Sequence, residues 1–167
     1  MKKFSENNKR INEILNHDLF LENYHKIEEA EVDRRFCRHN MVHFLDVARI
    51  AMILNLQEQY GVEYEMIYAA ALLHDIGRYE QYANGTPHEQ ASAPIATVIL
   101  RECGFSNAEI EEIAAAIVEH RNPKVVDKDN LEGLLYRADK MSRSCFACAA
   151  EAECDWKQNK KNLMLRY

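Results

Sequence analysis

The side chains best suited to chemistry in this chain are imidazoles and carboxylates set at the ends of apolar or capped stretches. His39 and His43 are four residues apart, so on a helix they share one face. His74 and Asp75 close the apolar part of "ALLHDIGRY" and are followed at once by Gly77 and Arg78. His88 follows Pro87, His120 ends the stretch opened by "SNAE", and Asp139 sits within "YRADKMSR". Imidazole nitrogen combined with carboxylate oxygen suits borderline to hard divalent metals such as Mn, Fe, Co, Ni or Zn. His17 and His25 carry no motif and read as surface residues.

The elements that must position these residues are helices. Ile11, Ile14, Leu15, Leu19, Phe20 and Tyr24 recur at helical spacing, which predicts one or two amphipathic helices between about Ser5 and Glu31. A long helix is expected from Asn40 to Tyr60, ending near Gly61. "YEMIYAAALLH" is nearly all apolar and therefore central. Pro87 suits the first turn of a further helix, and Pro94 should kink or split it. Ser106 and Glu109 form a capping box for a helix running to about His120, and Pro123 ends that segment. Asp129 or Asn130 can cap a last core helix through "LEGLLYRADKMSR". No stretch alternates as a strand would.

Composition agrees with an all-α single domain and narrows the function. Hydrophobic residues make up 47% and there are only 5 Gly and 3 Pro, so little of the chain is spent on turns. A formal net charge of −6 argues against a nucleic-acid or anionic-membrane partner while leaving room for a local basic pocket. No apolar run reaches the length of a membrane span, and "MKKFSENNKR" lacks the apolar core of a signal peptide. Five cysteines, an odd number clustered late, fit a reduced cytoplasmic protein.

The order "HFLDVARIA", "LLHDIGRY", "YRADKMSR" resembles the HD superfamily of metal-dependent phosphohydrolases over roughly residues 36 to 143. That resemblance implies a helical bundle (residues 36–143) with N-terminal helices (1–35) packed on it and a cysteine-containing tail (144–167). It further implies that His43, His74, Asp75 and Asp139 hold one divalent ion. His88 and His120 fall where dinuclear branches place two more histidines, a six-residue set similar to that of the di-iron enzymes hydrolysing diadenosine tetraphosphate. Asp75 would then bridge two ions and orient a hydroxide, with Arg78 and Lys140 as catalytic cations. Arg78, Lys140, Arg143 and His39 would contact a small phosphorylated substrate such as a nucleotide, and Arg38 and Arg121 are weaker candidates. His39 is either an outer neighbour of the ligands or a substrate contact. A homodimer is left open.

Two rival readings are a dinuclear-iron oxygenase of the same superfamily and a non-catalytic module that senses a nucleotide. An intact ligand set counts against the second. Separately, Cys145, Cys148 and Cys154 read as C-x2-C-x5-C, and Cys37 is the candidate fourth ligand. Together they would make a structural site for zinc or an iron–sulfur cluster; the alternative is a set of free or buried thiols. Cys103 reads as core.

Overall fold

Helix boundaries in the computed structural model, which describes residues 8–167, follow the caps that the sequence supplies. The opening segment makes two helices, α1 (Lys9–Leu15) and α2 (Asp18–Ala30). They break at His17, whose Nδ1 accepts from the Leu19 N–H and whose Nε2 pairs with Glu102, so His17 is a cap and not a bare surface residue. The expected start at Ser5 lies outside the described residues. Asn40 Oδ1 accepts from the His43 N–H and opens α3 (Met41–Glu58). That helix stops where Gln59 turns left-handed, at φ 57°. The side chain of Asn55 then bonds both polar groups of Val62, at 2.9 and 3.0 Å, and fixes the connection to α4 (Tyr64–Leu73).

Helix α4 is apolar on every side and lies at the centre, where Ala69, Ala70, Ala71, Leu72 and Leu73 are fully buried. It packs against α1 and α3, and against three later helices, α6 (His88–Glu102), α7 (Asn107–Glu119) and α8 (Leu131–Met141). Its alanines let these neighbours approach closely, and each fully buried leucine contributes about 1.5–3 kcal/mol. The capping box at α7 forms in both directions, and Asn130 caps α8. Arg10 ties α1 to the body through Glu65 and Glu109. Among the described residues there is no strand, and no helix is long and apolar enough to cross a membrane.

Three local features go beyond the sequence reading. A short helix, α5 (Arg78–Asn84), intervenes between the His74-Asp75 pair and α6. Pro94 lies inside α6 without splitting it, because Ala91, Ser92, Ala96, Ile99 and Leu100, on both sides of the proline, are buried and hold the helix in place. Gly77 is placed here by contact and not by its backbone angle. Its φ of −89° is open to any residue. What it allows is close approach: a Cβ here would lie 2.5 Å from Ser92 N and 2.6 Å from the Ala91 carbonyl carbon. The Gly77 N–H also donates to Ser92 Oγ at 2.9 Å. Gly77 therefore locks the end of the α4 turn onto α6, the helix that begins with His88.

Replacing Gly77 by alanine must push α6 away from this turn. The expected cost is about 1–3 kcal/mol of stability, the range for overpacked sites. Urea denaturation of Gly77→Ala measures it, and an unchanged midpoint would mean that the contact is slack.

Candidate metal centre

Four histidines reach one buried point from four helix ends, and each is oriented the same way. His74 donates Nδ1–H to Ala71 O at 2.7 Å, and His120 donates Nδ1–H to Ile117 O at 2.6 Å. Both bonds are to the carbonyl three residues back, available because each histidine sits at a helix C-terminus. His88 Nδ1 faces Gln81 Oε1 of α5 at 2.5 Å, and His43 Nδ1 faces Ser142 Oγ at 3.2 Å. The Ser142 hydroxyl itself donates to Asp139 O at 2.8 Å, so it accepts from His43. For His43, His74 and His120, tying Nδ1 in this way fixes the tautomer and leaves the Nε2 lone pair free, as in metal-ligating histidines; His88 Nδ1 also has Arg78 Nη1 at 2.8 Å.

Four histidines and Asp75 form two groups that share Asp75. Asp75 Oδ2 lies 3.6 Å from His43 Nε2 and 3.1 Å from His74 Nε2. Its other oxygen, Oδ1, lies 3.0 Å from His88 Nε2 and 3.7 Å from His120 Nε2. Asp139 joins the first group from α8, with Oδ1 at 3.5 Å from His43 Nε2 and 3.8 Å from His74 Nε2. His88 and His120 bring their Nε2 atoms to 3.2 Å of each other. Buried Nε2 of His43 and His74, and Oδ1 of Asp75, have no hydrogen-bond partner among the described residues. Buried acceptors facing acceptors are costly without a positive charge between them. This donor set fits divalent cations.

The electrostatics agree. Burial would push the carboxyl of Asp75 up, but the imidazoles of His74 and His39 hold it well below the usual carboxylate range. Asp139 is likewise held low against the effect of burial, with the adjacent Lys140 ammonium as the main cause and His74 next. His120 is pushed down to about 3 by burial and by His74, so it is neutral and ready to act as a ligand. His74 goes the other way: burial opposes its protonation, and the charge of Asp75 beside it more than compensates.

His39 is not in either group; its Nε2 is 3.8 Å from Asp75 Oδ2 and it lines the cleft above the site. Behind it lies a residue that sequence reasoning missed. Glu31, only 3% exposed, accepts from the His39 N–H at 2.7 Å, the His39 ring at 2.5 Å and the Tyr82 hydroxyl at 2.5 Å. Burial pushes the Glu31 carboxyl up, yet these bonds and His39 bring it down to about 2. Burial keeps His39 below its ordinary value, hence neutral, with Nδ1–H given to Glu31 and Nε2 turned to the cleft. No motif announces Glu31, which ends a surface helix eight residues before its partner.

The cleft has a volume of about 620 Å³ and is cationic although the chain as a whole is acidic. Arg34, Arg78, Arg121, Arg137, Lys140 and Arg143 line it from the helical body, and Lys160, Lys161 and Arg166 from the segment after α8. Against these stand only Asp75 and Asp139. Arg78 Nη1 is 3.2 Å from His88 Nε2, and Arg121 is held by Glu89. Arg38 turns to backbone carbonyls of Arg34 and Val32 and does not line the cleft.

The cysteines do not gather in a comparable way. Among the described residues, no three of Cys37, Cys145, Cys148 and Cys154 bring their sulfurs within 4.8 Å of one another. Short 3₁₀ turns at Cys145–Ala147 and Glu151–Glu153 carry this stretch of chain. What this segment buries instead is the Lys161 side chain, bonded to Glu151. Cys103 is core, and burial pushes its thiol up to about 11.

A test of the Glu31 contact follows from its charge. Its carboxyl ordinarily titrates near 4.5 and here is held near 2, so its contribution is complete above pH 4.5 and is lost as pH falls towards 2. Glu31→Gln should therefore be less stable than the parent by about 1.5–3 kcal/mol at neutral pH. Urea midpoints of the two proteins should converge between pH 4.5 and 2; a constant gap would assign the effect to shape and not to charge.

Comparison with known proteins places these residues in a family. The HD domain model matches residues 41–144, which include all six ligand candidates. A Clostridium beijerinckii protein, itself uncharacterized, is 46% identical over 158 residues, covering 95% of this chain and 99% of that protein. The crystal structure of a predicted HD superfamily hydrolase from an uncultured Thermotogales bacterium aligns with a TM-score of 0.60 and 26% identity, covering 86% of this chain and 81% of that one. The chain belongs to the HD domain family.

Proposed function

We propose that the chain is a cytoplasmic phosphohydrolase in which His43, His74, Asp75 and Asp139 hold one divalent cation and Asp75, His88 and His120 a second. One observation carries this reading: each carboxylate oxygen of Asp75 faces its own pair of imidazole nitrogens. The similarity to a predicted HD superfamily hydrolase supports hydrolysis as the reaction. Divalent cations in such a pair lower the pKa of water towards neutrality and polarise a phosphoryl oxygen.

The chain's own groups do the rest. Asp75, with one oxygen turned to each group, would contribute to both positions. Arg78, at the edge of the second group, and Lys140, against Asp139, neutralise charge that grows on the phosphoryl oxygens in the transition state. Arg143, stacked on Trp156 at 3.9 Å, presents a further cation to the cleft. His39, neutral and backed by Glu31, offers Nε2 to accept and pass on a proton at the mouth of the site. The cationic cleft suits a nucleotide or another small phosphorylated molecule. The six-residue set resembles that of enzymes hydrolysing diadenosine tetraphosphate, so dinucleoside polyphosphates are the first substrates to test.

Hydrolysis should be undetectable in Asp75→Ala with the helical fold retained. In Lys140→Ala, kcat should fall about 10²-fold, the usual scale for a transition-state contact, while bound metal is kept. A phosphate-release screen over nucleotides and dinucleoside polyphosphates with Mn²⁺ or Fe²⁺ measures both. Full activity in Asp75→Ala would end the proposal.

A further inference from the structure

The segment after α8 is not a loose tail. Asn162 Nδ2 donates to Lys140 O at 2.7 Å and Arg143 O at 3.0 Å, the carbonyls left open where α8 ends. The Phe146 N–H donates back to Asn162 O at 2.9 Å, closing the segment into a loop. Lys161 is bonded to both the backbone and the side chain of Glu151 inside that loop. Arg143 lies over the ring of Trp156, 3.9 Å from its centroid. These contacts fasten the segment to the turn of helix that carries Asp139 and Lys140. As a result Trp156, Asn159, Lys160 and Arg166 line the same cleft as Asp75, His88 and His120.

The cations of this cleft are not equally engaged. Arg34 donates to Cys37 O, Arg121 pairs with Glu89, Arg137 donates to Val126 O, Lys140 pairs with Asp139 and Lys161 pairs with Glu151. Lys160 and Arg166 have no carboxylate within 4.0 Å among the described residues, although the chain carries more acidic than basic residues. Arg143 Nε and Arg137 Nη2 are buried without a hydrogen-bond partner. Lys160 and Arg166, on the segment after α8, are thus cleft cations that no carboxylate among the described residues neutralises, as is Arg78 beside His88. A volume of about 620 Å³ also exceeds what one phosphoryl group at the metal centre would fill.

We propose that this segment is a wall of the substrate site, in which Lys160 and Arg166 form a second anion subsite. It grips a phosphate or equivalent anionic group of the substrate beyond the one positioned at the metal centre. This rests on the phosphohydrolase reading for the first group; the second group is read by residues outside the ligand set. The substrate class it selects is one with anionic charge spread over several groups along its length.

Calorimetric titration of the full chain, kept in excess Mn²⁺, tests this with two stable probes. They are methylphosphonate and the methylene-bridged analogue of inorganic tripolyphosphate. Replacing both cations (Lys160→Ala with Arg166→Ala) should weaken the triphosphate analogue about tenfold, equivalent to ~1.4 kcal/mol, and methylphosphonate less than about twofold. Lys157→Ala, an exposed cation of the same segment outside the cleft, should change neither. Equal binding of the triphosphate analogue by parent and double variant would overturn the subsite, as would an equal loss on both probes, which a diffuse field would cause. Charge reversal (Lys160→Glu) should enlarge the selective loss, and unchanged thermal melting confirms that the folds match. If the chain hydrolyses no phosphoester, the catalytic reading falls, and the two probes still decide the subsite.

Discussion

Four imidazoles and two carboxylates meet in the interior of this protein, with few other outlets for their hydrogen-bonding capacity. Each Nδ1 has an acceptor behind it: a helix carbonyl for His74 and His120, an amide oxygen for His88, a serine hydroxyl for His43. Once those bonds are made, the Nε2 atoms face one another and negative oxygen, with Arg78 reaching His88 from the cleft side. Such an arrangement is repulsive by itself and becomes favourable around divalent cations. The rest of the fold is best understood as what holds it in place.

Holding it requires helix ends, because ligands on helix ends inherit the rigidity of helices and still reach a common point. The buried α4 delivers His74 and Asp75 from the centre of the core. Helix α3 brings His43 in its first turn, set by the Asn40 cap, and α8 brings Asp139 in its last. The second group depends on a closer tolerance. His88 opens α6, and α6 is registered against the end of α4 through Gly77 and Ser92. Helix α5 supplies both the Gln81 that orients His88 and the Arg78 beside it. The two groups of donors are thus supported by different contacts, joined at Asp75.

Much of this could be read from the residues, and the reasons are physical. Apolar spacing and caps at Asn40, Ser106 and Asn130 locate α3, α7 and α8, and a run apolar on all sides marks α4 as central. With those helices placed, His43, His74, Asp75, His88, His120 and Asp139 stand out as polar groups where burial is expected. What stayed hidden depends on contacts between distant segments. Glu31 and Tyr82 support His39 from 8 and 43 residues away in the chain, with no periodic signal of their own. The segment after α8 has little regular structure, so its role as a cleft wall follows only from where Asn162 anchors it. Cysteine spacing alone could not show whether the thiols would gather, and no three of them do within 4.8 Å among the described residues.

The most direct test of the central claim is anomalous diffraction from crystals of the full chain grown with Mn²⁺, recorded at an energy above the manganese edge. The account predicts two peaks about 3.5–4 Å apart, the separation usual for two-metal sites. One should lie among His43, His74, Asp75 and Asp139, the other among Asp75, His88 and His120. A single peak with His88 and His120 turned away would reduce the centre to one metal. No peak at all, with the Nε2 atoms satisfied by protein hydrogen bonds, would contradict the account.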